Sequence, residues 1–285
     1  MGATEGLLPP AVHAALDLVD GMRHGKTAAA VFFLTLFWVW ESLDPSRRFP
    51  PGRLRHAGRN LSIALLNAVV LGVSFGLLAT TVSDWSEERD LGLLHQFAMP
   101  EAVQLALALV LLDAWTYLWH RANHVVPFLW RLHRMHHSDD RMDVTTATRF
   151  HPGELLISSG LHLVLIPLLG FAAWHLAMYE TILIVVTQFH HANISLGRFD
   201  GVLRLLIVTP DMHKVHHSNL RRETDSNYSS VLSLWDRLAR TFRRRDDVAT
   251  IHYGLDRFAE PRWQTVPGML TTPLSPDNRP DLTPK

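Results

Sequence analysis

The sequence predicts an all-α integral membrane protein, with four or five transmembrane or interfacial helices and a cytoplasmic helical cap. Three observations carry this. Long uncharged apolar blocks recur along the 285 residues. Only 19% of residues are charged, against about 25% in ordinary soluble domains. The 18 histidines are concentrated in the polar stretches at the ends of these blocks.

The first block, 28–40 (AAAVFFLTLFWVW), is short for a span of about 20 residues. No small-residue cleavage site follows it, only Glu41 and Pro45, so it reads as a retained anchor or interfacial helix. Residues 61–82 carry no charge and form the clearest transmembrane candidate. The third block, 102–119, is interrupted only by Asp113. Two more, 155–173 and 174–190, are separated by little more than Gly170 and Trp174. A soluble protein can bury one such helix in its core, but four or five in a chain of this length call for a bilayer.

Charge sets the expected orientation. Arg47, Arg48, Arg53, Arg55 and Arg59 cluster in 47–59, arginines recur in 121–150 and 214–245, and 84–90 is acidic. Basic loops favour the cytoplasm, which places the histidine clusters there too. The expected organisation is N-terminal membrane helices over 1–99, a histidine-rich catalytic region with membrane helices over 100–259, and a disordered Pro- and Thr-rich tail over 260–285. Basic and acidic residues balance at 27 each, so nothing points to nucleic acid. The absence of cysteine excludes disulfides, iron–sulfur clusters, thiolate ligands and cysteine nucleophiles.

Three histidine clusters carry the chemistry. His120 and His124 close the third block as H-x-x-x-H; His133, His136 and His137 follow as H-x-x-H-H; His213, His216 and His217 repeat that spacing. Residues three or four apart share a helix face, so each cluster can aim two or three imidazoles at one point. Neutral imidazole suits iron, zinc, copper or nickel. Eight such residues exceed what one ion uses, so the cap is expected to hold a di-metal site. Among the other polar residues, Asp113 is a candidate to orient an imidazole, and Glu180 to face a substrate or partner helix. Asp139, Asp140 and Asp143 either support the ligands or are solvated. His13, His24, His56, His95 and His252 read as surface residues.

The ordered set H-x-x-x-H, H-x-x-H-H, H-x-x-H-H resembles the fatty acid hydroxylase / sterol desaturase superfamily of membrane di-iron enzymes. Further matches are Arg149–Glu154 (RFHPGE), His191-Ala192-Asn193, and Asn227-Tyr228 leading into Leu234–Leu238 (LWDRL). The resemblance implies that the eight motif histidines ligate two iron ions. It also implies one or two more ligands between the second and third clusters, for which His191, His190 and His151 are candidates in that order. No catalytic residue beyond the ligands is assigned.

Aliphatic C–H bonds offer no acidic proton and no electrophilic centre, so a redox metal with O2 as co-substrate is required. The resemblance implies hydroxylation of a lipid (a fatty acyl chain, sterol or related molecule) at a bacterial inner membrane or the endoplasmic reticulum. Desaturation at the same site is the alternative. Electrons are expected from an external donor, ferredoxin- or cytochrome b5-like. Histidine spacing alone also permits a zinc-dependent membrane hydrolase, although no H-E-x-x-H protease motif is present.

Overall fold

The computed structural model describes residues 10–276. Seven helices form its body: α1 (Pro10–Leu43), α2 (Arg53–Ser74), α3 (Gly76–Glu87), α4 (Glu101–Val125), α5 (Pro127–His137), α6 (Pro152–Leu169) and α7 (Ala173–His191). Shorter ones follow: α8 (Asp200–Leu203), α9 (Pro210–His216), α10 (Arg221–Thr224), α11 (Leu234–Leu238) and α12 (Val266–Thr271). No strand occurs among the described residues, only isolated bridges joining Ile207 to Leu232 and Ser218 to Tyr253.

Every apolar block is carried by helices, two of the blocks running across a helix end. Three stretches are long and apolar enough to cross a bilayer: His24–Leu43, Glu101–Val125 and Pro152–Leu169. A fourth span arises if α2 and α3 act together. The fifth block, in α7, is equally long but carries His175, Glu180, Gln188, His190 and His191, which lower its hydropathy. Phe32, Leu65, Val69, Leu107, Leu118 and Val164 are exposed on these helices, as lipid-facing side chains must be. The all-helical membrane architecture is therefore the observed one.

Two of the blocks differ in detail from the sequence reading. The first is not short: it is the C-terminal part of a 34-residue helix, because the segment before it has no helix-breaking proline after Pro10. The uncharged run 61–82 is not one straight helix, since it breaks at Phe75 and bends by 41°.

The core packs Leu112 and Ala108 of α4, Leu165 and Ile166 of α6, and Leu176 and Tyr179 of α7 against one another. α1 lies along α7. At the end of the bundle away from the histidine clusters, Gly170 closes α6 in the left-handed region at φ 77°. A Cβ on Gly92 would lie 2.2 Å from the Gly170 backbone nitrogen, so the two loops meet only because residue 92 is glycine.

The Pro- and Thr-rich tail is folded as far as it is described. Pro261–Gln264 and Thr272–Leu274 form single 3-10 turns around α12. Pro261, Pro267 and Pro273 each occupy the first turn of their element, where a missing N–H costs nothing. Met269 is fully buried with Ile63 of α2 and Met135 of α5. Arg131 donates to the Pro273 carbonyl at 2.8 Å and Arg134 to that of Ser275 at 2.7 Å. The Pro- and Thr-rich composition predicts disorder, but composition carries no position, and each of these prolines sits where a helical turn tolerates it. Residues 277–285 lie outside the described residues.

Candidate metal centre

α4 ends by placing His120 and His124 one turn apart. Val126 turns the chain in an extended conformation, and Pro127 starts α5 at a position suited to proline. α5 then carries His133, His136 and His137. Thr209 caps α9 by accepting from the Met212 amide at 3.4 Å, and α9 delivers His213, His216 and, at its C-cap, His217. α7 ends at His191.

These elements bring nine imidazoles into two groups. His120, His124, His133, His137 and His216 form one, and His136, His191, His213 and His217 the other. Within each group the ligand atoms lie within 4.8 Å of one another. The repeated motif is used in opposite senses. On α5 the i, i+4 pair His133 and His137 faces the first group and His136 the second. On the α9 segment the pair His213 and His217 faces the second group and His216 the first. Helix periodicity splits each motif, since the residue at i+3 diverges from the line joining i and i+4, and the placement of the two helices decides which group each part meets.

Four rings are fixed from behind. Nδ1 of His120 donates to the Tyr228 carbonyl at 2.8 Å, of His216 to the Ser226 carbonyl at 2.7 Å, and of His191 to the Thr187 carbonyl at 2.7 Å. Nδ1 of His133 donates to Oε1 of Glu154 at 2.9 Å. A carbonyl only accepts, so Nδ1 must hold the hydrogen and Nε2 keeps its lone pair. Nε2 of His120, His133 and His216 has no partner among the described residues despite burial. In the second group, Nε2 of His191 lies 3.1 Å from Nε2 of both His136 and His213, and Nε2 of His217 is 3.2 Å from that of His213. A metal about 2.1 Å from each nitrogen spaces neighbouring ligands about 3.0–3.4 Å apart, as tetrahedral and octahedral geometry require. The donor set and its orphaned nitrogens fit two metal ions.

Electrostatics agree. All nine rings are at most 9% exposed. Burial first, and neighbouring imidazoles second, push His136, His137, His213 and His217 well below the ordinary histidine value. His216 is pushed down to about 3 by burial. Neutral imidazoles at neutral pH are what a metal requires. Phe150 stacks on His136 at 4.4 Å between ring centres, and Trp130 packs against His124 and His137.

His190 and His151 belong to neither group. His190 packs its ring 3.9 Å from that of His213, one helix position off the face that His191 presents. His151 caps α6: its Nδ1 accepts from the Gly153 amide at 3.0 Å and its Nε2 donates to the Leu270 carbonyl at 3.2 Å. Asp113 does not touch an imidazole. It accepts from Trp235 Nε1 at 2.7 Å, the Leu232 amide at 3.0 Å and the Tyr179 hydroxyl at 3.0 Å, tying the loop after α10 to α4. Glu180 pairs with Lys26 of α1.

His56 is no surface residue. It is buried on α2, with Nε2 2.8 Å from Asp139 and Nδ1 3.1 Å from Asp143, beneath the second motif. Burial would raise the Asp139 carboxyl, but His56 and Arg149 beside it hold it well below the usual carboxylate range. Asp140 remains at the surface with Arg141. Glu41, fully buried in α1, accepts from the amides of Val144 and Asn193 at 3.1 and 2.8 Å and pairs with Arg53 at 2.8 Å. Asp236 accepts from the amides of Tyr228 and Ser229 at 2.8 and 2.9 Å, fixing the carbonyl that holds His120. Its place in the LWDRL stretch is thereby explained. The i, i+4 pair His56 and Asn60 was a legible sign of a shared polar face; the carbonyls of Tyr228, Ser226 and Thr187 had none.

Residues 105–241 match the fatty acid hydroxylase family. The chain is 29% identical over 197 residues to an ornithine lipid hydroxylase, OlsE, of Rhizobium tropici, covering 66% of this chain and 56% of that one. It is 28% identical over 212 residues to the alkylglycerol monooxygenase of Homo sapiens, covering 72% and 44%. The Caenorhabditis elegans alkylglycerol monooxygenase is 33% identical over 148 residues, covering 50% and 28%. The chain thus spans about half the length of the first two of these relatives. No solved structure matches.

Proposed function

Because the chain belongs to the fatty acid hydroxylase superfamily, we propose that it is a membrane di-iron oxygenase that hydroxylates a C–H bond of a lipid, with O2 and an external electron donor. The observation that carries this reading is the pair of buried imidazole groups, with lone pairs turned inward, at one end of apolar helices.

In this reading His120, His124, His133, His137 and His216 hold one iron, and His136, His191, His213 and His217 the other. The irons supply the O2 activation that an unactivated C–H bond needs and no side chain provides. The chain's own contribution is geometric. The carbonyls of Tyr228, Ser226 and Thr187 and the carboxylate of Glu154 lock four rings in the tautomer that presents Nε2. Phe150 and Trp130 line the rings with apolar surface and keep water from them. The all-imidazole set, without thiolate or carboxylate inside either group, leaves the ligands neutral.

The relatives act on lipids by name, an ornithine lipid hydroxylase and alkylglycerol monooxygenases, which favours hydroxylation of an amphiphilic lipid. The metal centre faces the cytoplasm: the basic segment 47–59 lies beside the cap, with Arg47 donating to the Ala249 carbonyl. The donor is a soluble or membrane-bound one-electron protein of the ferredoxin or cytochrome b5 class. The test supplies the iron-loaded protein in bilayers with lipid extract, 18O2 and a chemical or ferredoxin reductant. One 18O in a lipid hydroxyl supports the reading. An alkene product assigns the desaturase, and lipid turnover without O2 consumption refutes both.

A further inference from the structure

The segment after α7 bears apolar side chains that the protein leaves uncovered. Val202, Leu205 and Leu206 around α8, and Leu234 and Leu238 of α11, are 45–68% exposed. The two turns form one lobe. The Ser233 amide donates to the Leu206 carbonyl at 3.1 Å, and the Ser233 hydroxyl and the Arg237 guanidinium donate to the Arg204 carbonyl at 2.7 and 2.8 Å. By sequence this lobe belongs to the polar cap, where such a patch would meet water.

Its depth says otherwise. Leu232 and Trp235 are hydrogen-bonded to Asp113. Asp113 lies six residues before Trp119, where the apolar run of α4 ends, and six residues of helix are about 9 Å. The Tyr117 hydroxyl meets Thr241 at 3.0 Å, nearer the metal-centre end. Val231 is packed into the core shared by α4, α6 and α7. The lobe therefore runs down the side of a span whose own apolar side chains Val110 and Leu118 are also exposed. Its charges suit such a setting. Arg204 pairs with Asp200 at 2.9 Å, and Arg237 spends its guanidinium on the Ser233 and Arg204 carbonyls while lying over the Phe242 ring.

We propose that residues 202–206 and 234–238 form an interfacial lobe seated among the acyl chains and headgroups of the leaflet at the metal-centre end. The partner is the lipid surface itself. The lobe leads directly into Thr209 and α9, so this seating fixes the level at which the histidines of α9 stand above the hydrocarbon. The inference rests on α4 spanning the bilayer.

The chain contains no cysteine, so single spin labels can be placed without background. Leu205→Cys and Leu234→Cys, labelled in the full-length protein in phosphatidylcholine–phosphatidylglycerol nanodiscs, are compared by power saturation with O2 and with a water-soluble nickel chelate. Val110→Cys marks the lipid face of α4 and Asp246→Cys the aqueous cap. The proposal expects both lobe labels to follow Val110→Cys, with high O2 and low nickel accessibility. Either lobe label behaving like Asp246→Cys overturns it. Val110→Cys itself behaving like Asp246→Cys would instead refute the spanning assignment of α4 on which the inference stands.

Discussion

Oε1 of Glu154 accepts a hydrogen bond from Nδ1 of His133 across 2.9 Å, and the carboxylate is buried where α6 meets α4 and α5. This contact does more than join two helices. It commits the His133 hydrogen to Nδ1 and leaves Nε2 to the group formed with His120, His124, His137 and His216. Asn123 donates to the same oxygen at 3.2 Å and holds it in place. Glu154→Ala should weaken metal retention about 10- to 100-fold, the usual cost of losing a partner behind a ligating histidine. Chelator competition followed by metal analysis checks this; unchanged retention would show that the contact only packs α6.

The buried histidines also set a pH dependence for the metal-free protein. His136, His137, His213 and His217 lie well below their unfolded value, and His216 at about 3, because burial penalises the charged ring. Above the unfolded value of about 6.5 neither state is protonated and stability is unaffected. Below it the unfolded chain gains protons that the folded chain refuses. Stability should fall by about 1.4 kcal/mol per pH unit for each histidine that stays neutral. The thermal midpoint of the apo protein in detergent, measured from pH 6.5 down to 4.5, should drop steeply. A rise on acidification would contradict the buried neutral assignment.

The tail gives a test of packing. Met269 is fully buried against Ile63 and Met135, the latter beside His136. Met269→Ala should cost about 2–5 kcal/mol, as truncations of buried side chains do. A chemical-denaturation series on the full chain measures it. A change below about 0.5 kcal/mol, the range of surface substitutions, would mean that α12 does not hold to the body.

The helical membrane architecture and the histidine clusters are visible in the sequence, because apolar length and i, i+4 spacing are local signals. The family resemblance puts His191 ahead of His190 and His151, and only His191 enters a group. What stayed hidden is non-local. Glu41 and Val144 are 103 positions apart, and Asp113 and Trp235 are 122 apart. No spacing rule connects a carboxylate in a span to a loop amide in the cap. His56 reads as a surface residue in the sequence because its partners, Asp139 and Asp143, approach from another part of the chain. Backbone carbonyls, which hold three of the nine rings, carry no side-chain signature at all.

The central claim is that two separate imidazole groups each hold one iron. His137→Ala removes a ring from the first group only, and His213→Ala one from the second only. Metal analysis of protein purified in detergent, with iron and zinc counted per chain, compares both variants with the parent. The account predicts about two irons in the parent and about one in each variant, since imidazole sites lose their metal when a ligand is removed. Zinc in place of iron in the parent, or both variants retaining two irons, would contradict it.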